Sequence, residues 1–77
     1  MKGTNMIGIV QKYDGEVGYI FGSNNSIFVF LKKDILENQQ LKENDKVSFN
    51  PEVYKTVDIT KYVARFVKKL GEKDEFD

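Results

Sequence analysis

The segment Ile27-Phe28-Val29-Phe30-Leu31 is built entirely from β-branched, aromatic and aliphatic residues, and the turn-forming cluster Gly22-Ser23-Asn24-Asn25-Ser26 stands directly before it. A run this short cannot sustain a helix on its own hydrogen bonds, so it reads as a strand. A strand needs partners, and the chain offers them. Met6 to Tyr13 carries Ile7, Ile9 and Val10 and reads as a first strand. Asp14-Gly15-Glu16 is a tight-turn sequence that returns Val17 to Gly22 antiparallel to it. Lys32 to Asn38 predicts a short helical turn or loop, and Gln39 to Asp45 a polar connection. Lys46 to Asn50 predicts a fourth strand, with Pro51 marking its edge or end and a loop from Glu52 to Ile59 behind it. Thr60 to Lys69 is strand-like in composition, although its apolar positions also fit a helical stripe; we read it as the fifth strand. The expected fold is all-β, a five-stranded antiparallel OB-type Greek-key barrel.

Seventy-seven residues suffice for one core and not for two. The chain has neither Cys nor His, which removes disulfides, thiolate nucleophiles, imidazole bases and nearly every zinc arrangement. No metal and no cofactor are expected. Asp14, Glu16 and Asp34 lie beside turns, and nothing in the pattern predicts the buried cleft that paired catalytic carboxylates need, so an enzyme is not expected. No stretch approaches the roughly 18 apolar residues of a membrane span, and a cytoplasmic location follows as the expectation. Net charge is zero, but residues 72–77 hold four acids and one base, leaving eleven bases and eight acids in residues 1–71. The division is therefore a mildly basic barrel, 1–71, and an acidic C-terminal tail, 72–77, expected to be disordered.

Strand parity divides the side chains into faces. Val17, Tyr19 and Phe21 share one side of the second strand and Gly18, Ile20 and Gly22 the other. In the third strand Ile27, Val29 and Leu31 form an aliphatic side and Phe28 with Phe30 an aromatic one. The expectation is that the aliphatic side faces inward and that Phe28 and Phe30 join Tyr19 in solvent. Val10, Ile20, Val29, Leu31, Val47 and Phe49 are the expected core. Exposed rings in a row offer stacking platforms for nucleobases, and nearby lysines add attraction for phosphate.

The same residues resemble the cold-shock domain family from about Met6 to Val67. Gly8-Ile9-Val10-Gln11-Lys12-Tyr13-Asp14 resembles its opening strand, Gly-x-Val-Lys-Trp-Phe-Asn. Val17-Gly18-Tyr19-Ile20 resembles the end of its Lys-Gly-Phe-Gly-Phe-Ile motif, and Ile27-Phe28-Val29-Phe30-Leu31 its Val-Phe-Val-His-Phe motif. The segment from Leu41 to Phe49 resembles Leu-x-Glu-Gly-Gln-x-Val-x-Phe, and Ala64-Arg65-Phe66-Val67 resembles Ala-x-Asn-Val. The chain departs from the family at Lys12, where tryptophan is usual, at Val17, where the first stacking phenylalanine stands, and at Phe30, which replaces histidine. The resemblance implies an OB-type barrel that binds single-stranded RNA or DNA, as an RNA chaperone or a regulator of transcription or translation.

The candidate nucleic-acid contacts are Lys12, Tyr13, Val17, Tyr19, Phe28, Phe30, Lys32 and Lys33, with Phe21 at the margin of the patch and the facing of Arg65 left open. Tyr19, Phe28 and Phe30 are the expected stacking rings. The competing expectation is a protein-interaction module, in which the same aromatic patch docks a peptide or forms a weak homodimer.

Overall fold

A computed structural model describes residues 5–70, and in it the five expected strands form one closed barrel. The strands are β1 (Met6–Tyr13), β2 (Val17–Gly22), β3 (Ile27–Leu31), β4 (Lys46–Lys55) and β5 (Thr60–Lys69). Around the barrel they run β1-β2-β3-β5-β4, with β4 returning to β1. Four of the ladders are antiparallel, but β3 and β5 meet in parallel at the single register pair Val29 and Val63, so the barrel is mixed and not wholly antiparallel. Two short 3₁₀ turns, Lys32–Asp34 and Leu36–Asn38, occupy the connection between β3 and β4. The acidic segment 72–77, expected to be disordered, lies outside the described residues. Among those that are described, no helix is long and apolar enough to cross a membrane.

The first turn forms as its residues dictate. Gly15 takes a φ of 99°, while the Asp14 carboxylate accepts hydrogen bonds from the backbone N–H groups of Glu16 and Val17 at 2.9 and 3.0 Å. Those two bonds hold the Asp14 carboxyl below its ordinary pKa, because they stabilise the ionised form.

The fourth strand does not stop at Pro51. It continues to Lys55, with Pro51 paired to Ala64, and only residues 56–59 form the connecting loop. Proline is tolerated there because β4 pairs with β1 no further than Phe49, so beyond that point its ladder runs to β5 alone among the described residues.

The core consists of Val10, Ile20, Phe28, Phe30, Ile35, Leu41, Val47, Phe49, Ala64 and Val67. The inward facing of Phe28 and Phe30 reverses the expected faces of β3. The reason lies across the ladder, where Gly18 pairs with Phe30 and Ile20 with Phe28. A Cβ on Gly18 would stand 2.5 Å from the Phe30 ring, and one on Gly22 would stand 2.9 Å from Phe28. The glycines of β2 thus leave room that two large rings fill, as close packing requires. Phe28 further packs on Phe49 and Tyr62, with ring centroids 5.1 and 5.6 Å away.

Candidate nucleic-acid interface

Because β2 and β3 are in register, the residues that flank one another share a face. Val17 pairs with Leu31, Tyr19 with Val29, and Phe21 with Ile27, and these are the outward sets. Tyr19 is 44% exposed, Phe21 40% and Leu31 43%, whereas Phe28 and Phe30 are buried. The expected placement of Phe28 and Phe30 as solvent-facing stacking rings is therefore incorrect, as is the expected burial of Leu31 and Val29; Val29 is half-buried on the outer face. Val10, Ile20, Val47 and Phe49 are core residues as expected.

A bulge in β1 decides the placement of the next two candidates. Val10 pairs with Ile20 but Lys12 pairs with Tyr19, leaving Gln11 as the extra residue. In a regular strand with Gln11 paired, Lys12 would share the face of buried Val10; the bulge places it instead opposite Tyr19, exposed. The same shift turns Tyr13 back onto the barrel, where its ring lies 5.3 Å from Phe30 and half-closes that end of the core. Partial burial, aided by the carboxylates of Glu16 and Asp14, pushes the Tyr13 phenol above its ordinary pKa. Tyr13, a candidate contact at the flank of the patch, is thus half-buried and packs on Phe30.

Val17 is half-buried at the start of the outer face of β2. Lys32 and Lys33 are both exposed but diverge. Lys32 borders a hollow with Tyr13, Gly15, Gln40 and Leu41, while Lys33 borders a cleft with Leu36, Arg65 and Phe66. The outer surface thus comprises Tyr19 and Phe21 with Lys12 at one side and the aliphatic row Ile27, Val29 and Leu31 at the other. It is continuous through Val29 and Val63 with β5, and from there with a groove at the β4–β5 hairpin lined by Tyr54, Thr56, Ile59, Lys61 and Val63.

Arg65, whose facing the sequence left open, is half-buried and knotted to its neighbours. Its guanidinium donates to the Tyr54 hydroxyl at 3.2 Å and lies 3.4 Å from Glu52 and 3.8 Å from Asp34. Tyr54 in turn donates to Glu52 at 2.5 Å, and Asp34 accepts the Leu31 N–H at 2.9 Å. Arg65 therefore ties β5 to β4 and to the end of β3.

Sequence reasoning passed over Phe66. It is 58% exposed and has a φ of 53°, in the left-handed region that a bulky side chain adopts only at a cost of about 1–2 kcal/mol. The cause is a second bulge, where Ser48 pairs with Lys68 and Asn50 with Arg65, so that Phe49 faces both Phe66 and Val67. Two successive residues, Arg65 and Phe66, thereby point away from the core. The signal was present in the resemblance, since the matching position there is asparagine, a residue that tolerates left-handed backbone.

No protein-family model matches the chain, and no curated protein matches its sequence.

Proposed function

We propose that this protein binds an extended single strand of RNA or DNA across the outer face of β1, β2 and β3, in the manner of a cold-shock-type RNA chaperone or regulator of transcription or translation in the cytoplasm. The reading is one of binding and not of catalysis. The observation that carries it is the exposure of Tyr19 and Phe21 at alternate positions of one strand, with Lys12 directly beside Tyr19. Side chains two apart on a strand are separated by about 7 Å, which gives two rings to two bases of an unstacked strand. Lys12 supplies a cation for the intervening phosphate.

Titration with a labelled oligo-pyrimidine at low salt, followed by anisotropy and by tyrosine fluorescence, tests this. Saturable binding is expected, weakened about tenfold by Tyr19→Ala or Phe21→Ala, because stacking contributes on the order of 1–3 kcal/mol per base. Absence of saturable binding at low salt overturns the reading.

A second reading has its own support. The flank of the two rings is Ile27, Val29 and Leu31, which cannot stack and which suit an apolar protein surface. In that case the face joins two copies of the barrel. Light scattering separates the alternatives, since a dimer lost on Leu31→Lys, without oligonucleotide binding in the parent protein, favours docking.

A further inference from the structure

We infer that Phe66, with Leu36 and Lys33, forms a second base-binding site that extends the path of a bound single strand beyond Tyr19 and Phe21. This rests on the nucleic-acid reading of the outer face. Phe66, Leu36, Lys33, Asp34 and Arg65 enclose an open cleft of about 240 Å³. Two of its walls are apolar and exposed, the Phe66 ring and the Leu36 side chain. Both line the same cleft, one on each side of the parallel bridge between Ile35 and Val67.

The geometry is maintained against the local preference of the backbone. Phe66 sits in left-handed backbone at φ 53°, yet most of its ring is in solvent, so burial does not offset the strain. Strain held at an exposed aromatic residue points to a role for the ring outside the protein. Glu37 and Asn38, which follow Leu36, also have positive φ, at 61° and 50°.

Charge identifies the occupant. The cleft is lined by two cations, Lys33 and Arg65, and one anion, Asp34. The Asp34 carboxylate is already engaged by the Leu31 N–H and lies against Arg65, whereas Lys33 has no ion pair among the described residues. A ring and a lysine without an ion pair among the described residues, lining one cleft, suit a base and its phosphate. The position suits continuation of the strand. Adjacent strands lie about 4.8 Å apart, so a ligand crossing from β2 over β3 to β5 travels roughly 10 Å before it turns toward Phe66.

The test uses two labelled oligothymidines near the ends of the range for such barrels, about 4 and about 12 nucleotides long, titrated against the full chain and against Phe66→Asn and Tyr19→Ala. Asparagine accepts left-handed backbone, so Phe66→Asn is expected to raise the melting temperature, and a misfolded variant is thereby excluded as the cause of lost affinity. The expected result is a loss of about tenfold for the long oligonucleotide on Phe66→Asn with no change for the short one, while Tyr19→Ala weakens both. Unchanged long-oligonucleotide affinity in Phe66→Asn, with Tyr19→Ala still defective, overturns the second site and leaves the proposed function standing. Equal loss for both lengths also overturns it, since the ring would then belong to the first site. If the full chain binds neither length, both proposals fall. If Phe66→Asn instead abolishes self-association seen by light scattering, the cleft docks protein and the inference is overturned.

Discussion

Phe30 and Leu31 are adjacent in the chain and opposite in environment, which makes them a direct measure of which way β3 faces. Phe30→Ala is expected to lower unfolding stability by about 3–5 kcal/mol, through lost burial and a residual cavity. Leu31→Ala, at a half-exposed site, is expected to cost less than about 1 kcal/mol. Urea denaturation of the two variants reads both, and reversal of the order would place the wrong ring in the core. Gly18→Ala is expected to destabilise by about 1–3 kcal/mol, because the added methyl meets Phe30 on one side and the Lys12 carbonyl, 2.6 Å away, on the other. At Asp14 the folded carboxyl titrates below its unfolded value, so its charge contributes stability above about pH 4 that is lost as pH falls through the folded pKa. Asp14→Asn keeps the acceptor oxygen and removes the charge. Its stability deficit relative to the parent protein is expected to be present at pH 7 and to shrink below pH 4, as measured by denaturation at a series of pH values.

At the scale of the element, the strands were legible in the sequence and one of their facings was not. Turn residues and β-branched runs located β1, β2, β3 and β5, and the polar tract before Lys46 located the start of β4. The far end of β4 was hidden, because a proline reads as a terminator unless one knows that its other flank lacks a partner strand. For β3, parity fixes which residues go together and leaves open which set goes inward. The loop between β2 and β3 settles that, since its length pairs Phe21 with Ile27 and so puts odd-numbered residues of both strands on one face. Placing Tyr19 beside Phe28 and Phe30 would require a loop one residue different. The glycines of β2 carried the missing information, because an inward strand face with two of them needs large side chains opposite. Of the candidate site, Tyr19, Lys12 and marginal Phe21 occupy the expected surface, while Tyr13, Phe28 and Phe30 are packing residues. Both bulges were beyond sequence pattern, since each adds a residue to one strand only and shifts every later side chain by one face. The β1 bulge is open to test by deletion of Gln11, which leaves Lys12 directly after Val10 and still opposite Tyr19, so Lys12 is expected to stay outward and oligonucleotide binding to be retained, as read by anisotropy.

For the whole molecule, the absence of net charge sets the character of the proposed binding. With Lys12, Lys33 and one further lysine at phosphates, log affinity is expected to fall with log salt at a slope of about −2, far shallower than that of a strongly basic binder. A steep slope in an anisotropy titration would show that many more cations take part. The closure of the barrel has a different consequence. β3 and β5 share one register pair, Val29 and Val63, while β4 and β5 are paired along most of their lengths. The parallel seam is thus the thinnest part of the wall, and transient opening there would uncover Phe28 and Phe30 without unfolding the β4–β5 hairpin. Amide deuterium uptake should then be fastest along that seam and slowest between β4 and β5. A ligand spanning the two sides would act as a stitch, slowing uptake at Val29 and Val63 more than anywhere else.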